Sequence, residues 1–137
     1  PDEELFDLAA KKELRKPGVI ETQVKRMLKD PKAEALTKNF AGQWLMLRSL
    51  ETLTPDKKTY PNYDNSLRDA MVRETELFFD YIVKNDRSIL DFLDSDYTFV
   101  NSTLAKHYGM SGVSGSEFRK VTLTDKNRGG VLTHASV

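Results

Sequence analysis

The stretch Asp64–Lys84, DNSLRDAMVRETELFFDYIVK, decides how the rest of the chain is read. Leu67, Met71, Glu74, Phe78 and Tyr81 recur at spacings of four, three, four and three, with Ala70, Leu77 and Ile82 flanking them. That is the period of one helical face, which predicts a helix from about Ser66 to Lys84, capped by Asp64 or Asn65. One member of the stripe is an acid. A carboxylate on a core-facing stripe needs a partner or a raised pKa, because an unpaired buried charge costs several kcal/mol, on the order of a domain's net stability.

Outward from this helix the chain reads as further helices. Asp2 caps a first one within PDEELFDLAAKKEL, which ends at Lys16-Pro17-Gly18. A second has Ile20, Val24, Met27 and Leu28 on one face and Lys and Arg on the other. Pro31 opens a third with Leu36, Phe40, Trp44 and Leu47 in register. Its FAGQWLML core is apolar almost all round, which predicts a central position for Trp44. Gly42 in mid-helix predicts a close helix–helix contact, since glycine there costs about 1 kcal/mol against alanine.

After the main helix, Ser88 with Asp91 resembles a capping box for SILDFLD. Tyr97–Val100 reads as extended, Asn101 as the N-cap of a short helix Ser102–Tyr108, and Gly109 as its stop. Glu117–Leu123 is the one strand candidate. The expected fold is mainly α, an irregular bundle of five to seven helices with at most one short β element near 117–123. Residues 1–127 form one helical domain on this reading, and 128–137 the start of a following module.

The 137 residues carry 21 Lys+Arg and 21 Asp+Glu, so no net charge marks a nucleic-acid or anionic membrane surface. No apolar run is long enough to span a bilayer. The absence of cysteine excludes disulfides, thiolate metal sites and a Cys nucleophile. Pro1 and the final VLTHASV both read as cuts in a longer chain.

Glu74 reads two ways: a general acid or base with a tuned pKa, or a structural acid bonded to Trp44, Arg48 or a backbone donor. Asp94, Asp96 and Thr98 start like a calcium loop, but Phe99 and Ala105 stand where Gly and Glu are needed. His107 and His134, the two histidines, sit in no zinc-binding spacing, and the glycines form no phosphate-binding loop. A pocket of Glu74, Asp96, Tyr97, Asn101 and His107 is the enzyme reading. Tyr60 and Tyr63, in a proline-bearing loop, are candidate sugar platforms. The scaffold reading makes Asn101 a cap and buries the Tyr97 and Tyr108 rings with bonded hydroxyls.

In order, PDEELFDLA, VKRMLKDPKAEALTKNFAGQWL, LRDAMVRETELFF, DYTFVNSTLAKHYG and RGGVLTHASV resemble one family. It is the uncharacterised helical domain of large planctomycete-type multidomain proteins, found beside cytochrome c-like domains with CxxCH motifs. The resemblance implies an extracytoplasmic parent, c-type haem in neighbouring domains rather than in this chain, and those domains as partners. It leaves open whether His107 or His134 approaches a neighbouring haem in the parent. The expected role is a non-catalytic structural or interaction module. The alternatives are part of a polysaccharide-acting or haem-linked oxidising enzyme, and a carbohydrate-binding module.

Overall fold

A computed structural model describes all residues, Pro1–Val137, as two compact units, Pro1–Glu34 and Ala35–Val137. The first holds α1 (Glu3–Ala10) and α2 (Val19–Leu28). Asp2 caps α1 as expected, its Oδ1 accepting from the Leu5 N–H at 3.1 Å. The helix stops at Ala10, earlier than the pattern predicts, and Lys12 turns left-handed (φ 58°).

The expected apolar face of α2 is corrected. Gln23 is its buried residue, while Ile20, Val24 and Met27 are exposed. Gln23 Nε2 donates to Glu4, and Arg26 pairs with Asp2 at 2.7 Å and Glu4 at 3.2 Å. The paired acids of the neighbouring helix turn the polar side of α2 inward.

The second unit begins inside a broken helix made of α3 (Glu34–Leu36), a π-helical segment Thr37–Ala41, and α4 (Gly42–Trp44). Met46 in the left-handed region (φ 54°) ends it, and a 3₁₀ turn Leu47–Glu51 follows. The wider π turn shifts which residues face inward. Thr37, Ala41, Gly42 and Leu47 are buried, whereas Phe40 is 54% and Trp44 53% exposed. The predicted central place of Trp44 is therefore overturned. So is the reason given for Gly42, since an added Cβ there would meet nothing within 4 Å.

The dominant helix is α5 (Asn65–Lys84). Asp64 Oδ1 accepts from the Leu67 N–H at 2.8 Å, which places the cap where the pattern puts it. Leu67, Ala70 and Met71 pack with Val100, Leu104 and Ala105, while Phe78 and Ile82 pack with Tyr97. Burying a side chain such as Phe78 contributes about 1.5–3 kcal/mol. Glu74 and Thr75 occupy the turn between these two clusters, and both are fully buried.

Two strands and a short helix cover this face of α5. β1 (Tyr97–Val100) pairs antiparallel with β2 (Arg119–Thr122), Tyr97 opposite Thr122 and Val100 opposite Arg119. A lone strand cannot satisfy its backbone, so the extended segment supplies the partner that the 117–123 element needs. The fold is thus helical-leaning with a small two-stranded sheet.

Between the strands, α6 (Ser102–His107) starts at Asn101, whose Oδ1 accepts from the Leu104 N–H at 3.0 Å. Gly109 follows at φ 69°. Replacing Asn101 by alanine is expected to cost about 1 kcal/mol in a urea titration, and Asn101→Asp to restore most of it. Equal midpoints for wild type and Asn101→Ala would show that the cap is idle.

Candidate functional site

Glu74, on α5, is held by two donors from two other elements. The Thr98 hydroxyl, on β1, donates to Oε1 at 2.5 Å, and the Tyr108 hydroxyl, just past α6, donates to Oε2 at 2.5 Å. The Tyr108 oxygen in turn accepts from the Ala135 N–H at 2.8 Å. Above the Tyr108 ring lies the Arg128 guanidinium, 3.7 Å from its centroid. Burial pushes the Glu74 carboxyl up to about 7, against the opposing pull of the two hydroxyls and the Arg128 charge.

One helical residue on, Thr75 makes the second half of the cluster. Its hydroxyl is shared between His134 Nδ1 at 2.8 Å and Ser136 Oγ at 2.7 Å. The His134 ring meets Phe78 edge-on, centroids 4.8 Å apart. Burial, aided by the Arg128 charge, pulls its pKa down to about 4, so His134 is neutral at ordinary pH.

The last ten residues are tied into this cluster by backbone as well as side chains. Gly130 donates to Ser95 Oγ at 3.3 Å, and Arg128 donates to the Thr133 carbonyl at 3.0 Å. At Gly130, φ is 66°, and an added Cβ would lie 2.5 Å from the Phe92 carbonyl oxygen and 2.6 Å from Leu93. Both the rotation and the space require glycine there. Residues 128–137 therefore complete the same compact unit that holds Glu74.

The candidates from the sequence are brought together only in part. Tyr97 shares with Glu74, Thr98, Arg128 and His134 a narrow enclosed gap that is too small for a water molecule. The Tyr97 hydroxyl itself donates to Asp91 at 3.0 Å. Asp96 is exposed, and its carbonyl accepts from the Leu123 N–H beside the sheet. Asn101 is committed to its cap. His107 is exposed at the end of α6, and it lines a separate groove with Tyr60 and Tyr63.

The partners foreseen for Glu74 are corrected. Trp44 packs at a tilt against Phe40 and edge-on against Phe92, half exposed, and Arg48 donates to Asn39. Thr75 and Arg128 escape a reading by motif, and so does the link of Thr98 and Tyr108 to Glu74, because these residues lie far apart in sequence. No cluster of three or more His, Cys, Asp or Glu is arranged to hold a metal ion. No helix is long and apolar enough to cross a membrane.

What can this arrangement do chemically? Both Glu74 oxygens are occupied and the residue has no exposed surface, so it has no route to a substrate proton. It can hold three elements and the C-terminal segment in one geometry. The fold and cluster thus define a helical-leaning domain built around a buried, hydrogen-bonded acid. The family profile PSD4, protein of unknown function (DUF1592), matches residues 1–110, and the chain belongs to that family. No curated protein and no solved structure matches the chain.

Proposed function

We propose that this chain is a non-catalytic structural and interaction module of a larger extracytoplasmic redox protein. Its role is to hold neighbouring c-type cytochrome-like domains, or their partners, in position. The observation that carries the non-catalytic part is Glu74: buried, bonded through both oxygens, and out of reach of any groove. The residue with the most perturbed carboxyl is a fold lock rather than an acid waiting for a substrate.

The interaction part is supported by the outer side of the broken helix. Leu36, Phe40 and Trp44, four residues apart, are each about half exposed, and the Phe40 and Trp44 rings lie 5.9 Å apart in a tilted pair. Aromatic surface left in water in this way is a common mark of a protein contact. The cytochrome partner and the extracytoplasmic setting rest on the resemblance described above.

The test is isothermal titration of this chain against the cytochrome c-like domain that accompanies it. Trp44→Ala is expected to weaken binding about tenfold or more, with little loss of melting temperature because the ring is half in water. Equal affinity of wild type and variant would remove this face from the proposal. The catalytic alternative would return if Glu74→Gln abolished turnover of the parent protein at a temperature where the variant is fully folded.

A further inference from the structure

A second feature of the Ala35–Val137 unit is not used by the Glu74 cluster. A cavity of about 670 Å³ opens between the 3₁₀ turn at Leu50, the loop through Tyr60 and Tyr63, and the start of α5 at Leu67 and Met71. That volume falls within the usual range of small-molecule sites, roughly 300–1,000 Å³. Its walls carry no Asp, Glu, Lys or Arg, and His107 at one side is the lone titratable group besides the tyrosines. Besides the tyrosines its polar side chains are Thr59, Asn62 and His107, so a charged or heavily hydroxylated molecule would lose more water there than these groups replace. An uncharged apolar one would not.

Two further observations point to a ligand. The Tyr63 hydroxyl is the one buried side-chain oxygen or nitrogen with no hydrogen-bond partner. An unpartnered buried hydroxyl is costly, and native proteins carry few of them. The loop that carries Tyr63 is also internally braced. Asp56 accepts from the Lys58 N–H and the Thr59 hydroxyl, and its carbonyl accepts from the Tyr60 N–H; the Tyr60 carbonyl accepts from Tyr63. Leu53 and Tyr60 are nevertheless more than half exposed on this braced loop beside the cavity.

We propose that this cavity binds a compact, uncharged, largely apolar molecule bearing a carbonyl oxygen. The apolar body lies against Leu50, Leu67 and Met71 and is covered by Tyr60. A small swing of the Tyr63 ring lets its hydroxyl donate to the ligand's oxygen, which gives that group the partner it lacks in the free protein. A sugar fits less well, because the cavity offers two tyrosine faces but few groups to bond a ring of hydroxyls.

The test uses prodan, an uncharged naphthalene ketone whose emission shifts to the blue when it leaves water. Titrated with the full chain, it should show a saturable blue shift. Tyr60→Ala should weaken binding about tenfold. Tyr63→Phe keeps the ring and removes an unpartnered hydroxyl; it should weaken binding about five- to tenfold without lowering the melting temperature. Trp44→Ala should bind as wild type does. Absence of a saturable shift in wild type would overturn the proposal, as would unchanged affinity in Tyr60→Ala and Tyr63→Phe. Loss of binding in Trp44→Ala would also overturn it, by placing the dye on the exposed aromatic face instead.

Discussion

Gly130→Ala should lower the stability of the Ala35–Val137 unit by about 3–5 kcal/mol, the range of substitutions that force backbone against backbone. The added methyl would meet the Phe92 and Leu93 backbone at 2.5–2.6 Å, well inside contact distance, and φ there is already 66°. Neither side can yield cheaply. The obstacle is main chain rather than the end of a flexible side chain, and moving Gly130 would pull His134, Ala135 and Ser136 away from Thr75 and Tyr108. For a unit of this size the loss corresponds to a drop in melting temperature of roughly 15 °C or more. Gly109→Ala is the control, because φ is 69° there but a Cβ meets nothing within 4 Å. It should cost about 1 kcal/mol, the conformational part alone. Thermal unfolding followed by circular dichroism separates the two, and similar melting temperatures would refute the close approach.

The second large effect is a pH dependence that the wild-type protein partly hides. Glu74 has a folded pKa raised from 4.5 to about 7. Below 4.5 it is protonated in both states. As pH rises from 4.5 through 7, the unfolded chain ionises first, so stability from this residue is lost, on the order of 3 kcal/mol in all. His134 runs the other way, its folded pKa lowered from 6.5 to about 4. Its contribution is present above 6.5 and is lost as pH falls through 4, by a similar amount. Between 4.5 and 6.5 the two slopes oppose each other, and these residues together leave stability nearly flat.

Glu74→Gln removes one slope and exposes the other. Near pH 5 Glu74 is protonated and, like the glutamine amide, keeps one carbonyl oxygen to accept from Thr98 or Tyr108, so variant and wild type should be about equally stable. Toward pH 7.5 the wild-type protein bears a buried charge that the variant lacks, so the variant should gain steadily on it, by about 2 kcal/mol. Chemical denaturation across pH 4–8 measures this directly. Parallel profiles for wild type and Glu74→Gln would mean that Glu74 titrates normally and is not desolvated.

These expectations depend on features of unequal legibility. Caps were readable because a cap is a local device: Asp2, Asp64, Ser88 and Asn101 each accept from a backbone N–H two or three residues on. The α5 stripe was readable too, Glu74 included, since one long helix packed on one face preserves its period from end to end. The broken helix 34–44 was not. A π turn between two short α turns rotates the pattern, so an unbroken helical reading sends Phe40 and Trp44 to the wrong side.

By itself, then, the amino-acid order determined a helical-leaning chain, the places where its helices begin, and the presence of an acid on the buried face of the longest. Tertiary structure alone decided what that acid does. Thr98 and Tyr108 lie 24 and 34 residues from Glu74, and His134 lies 59 from Thr75. Hydrogen bonds over such separations leave no spacing to read, because any number of intervening residues can be looped out between the partners. The same holds for Arg128-Gly129-Gly130, which in the sequence reads as the start of a following module and becomes, once folded against Phe92–Ser95, the anchor of the C-terminal segment.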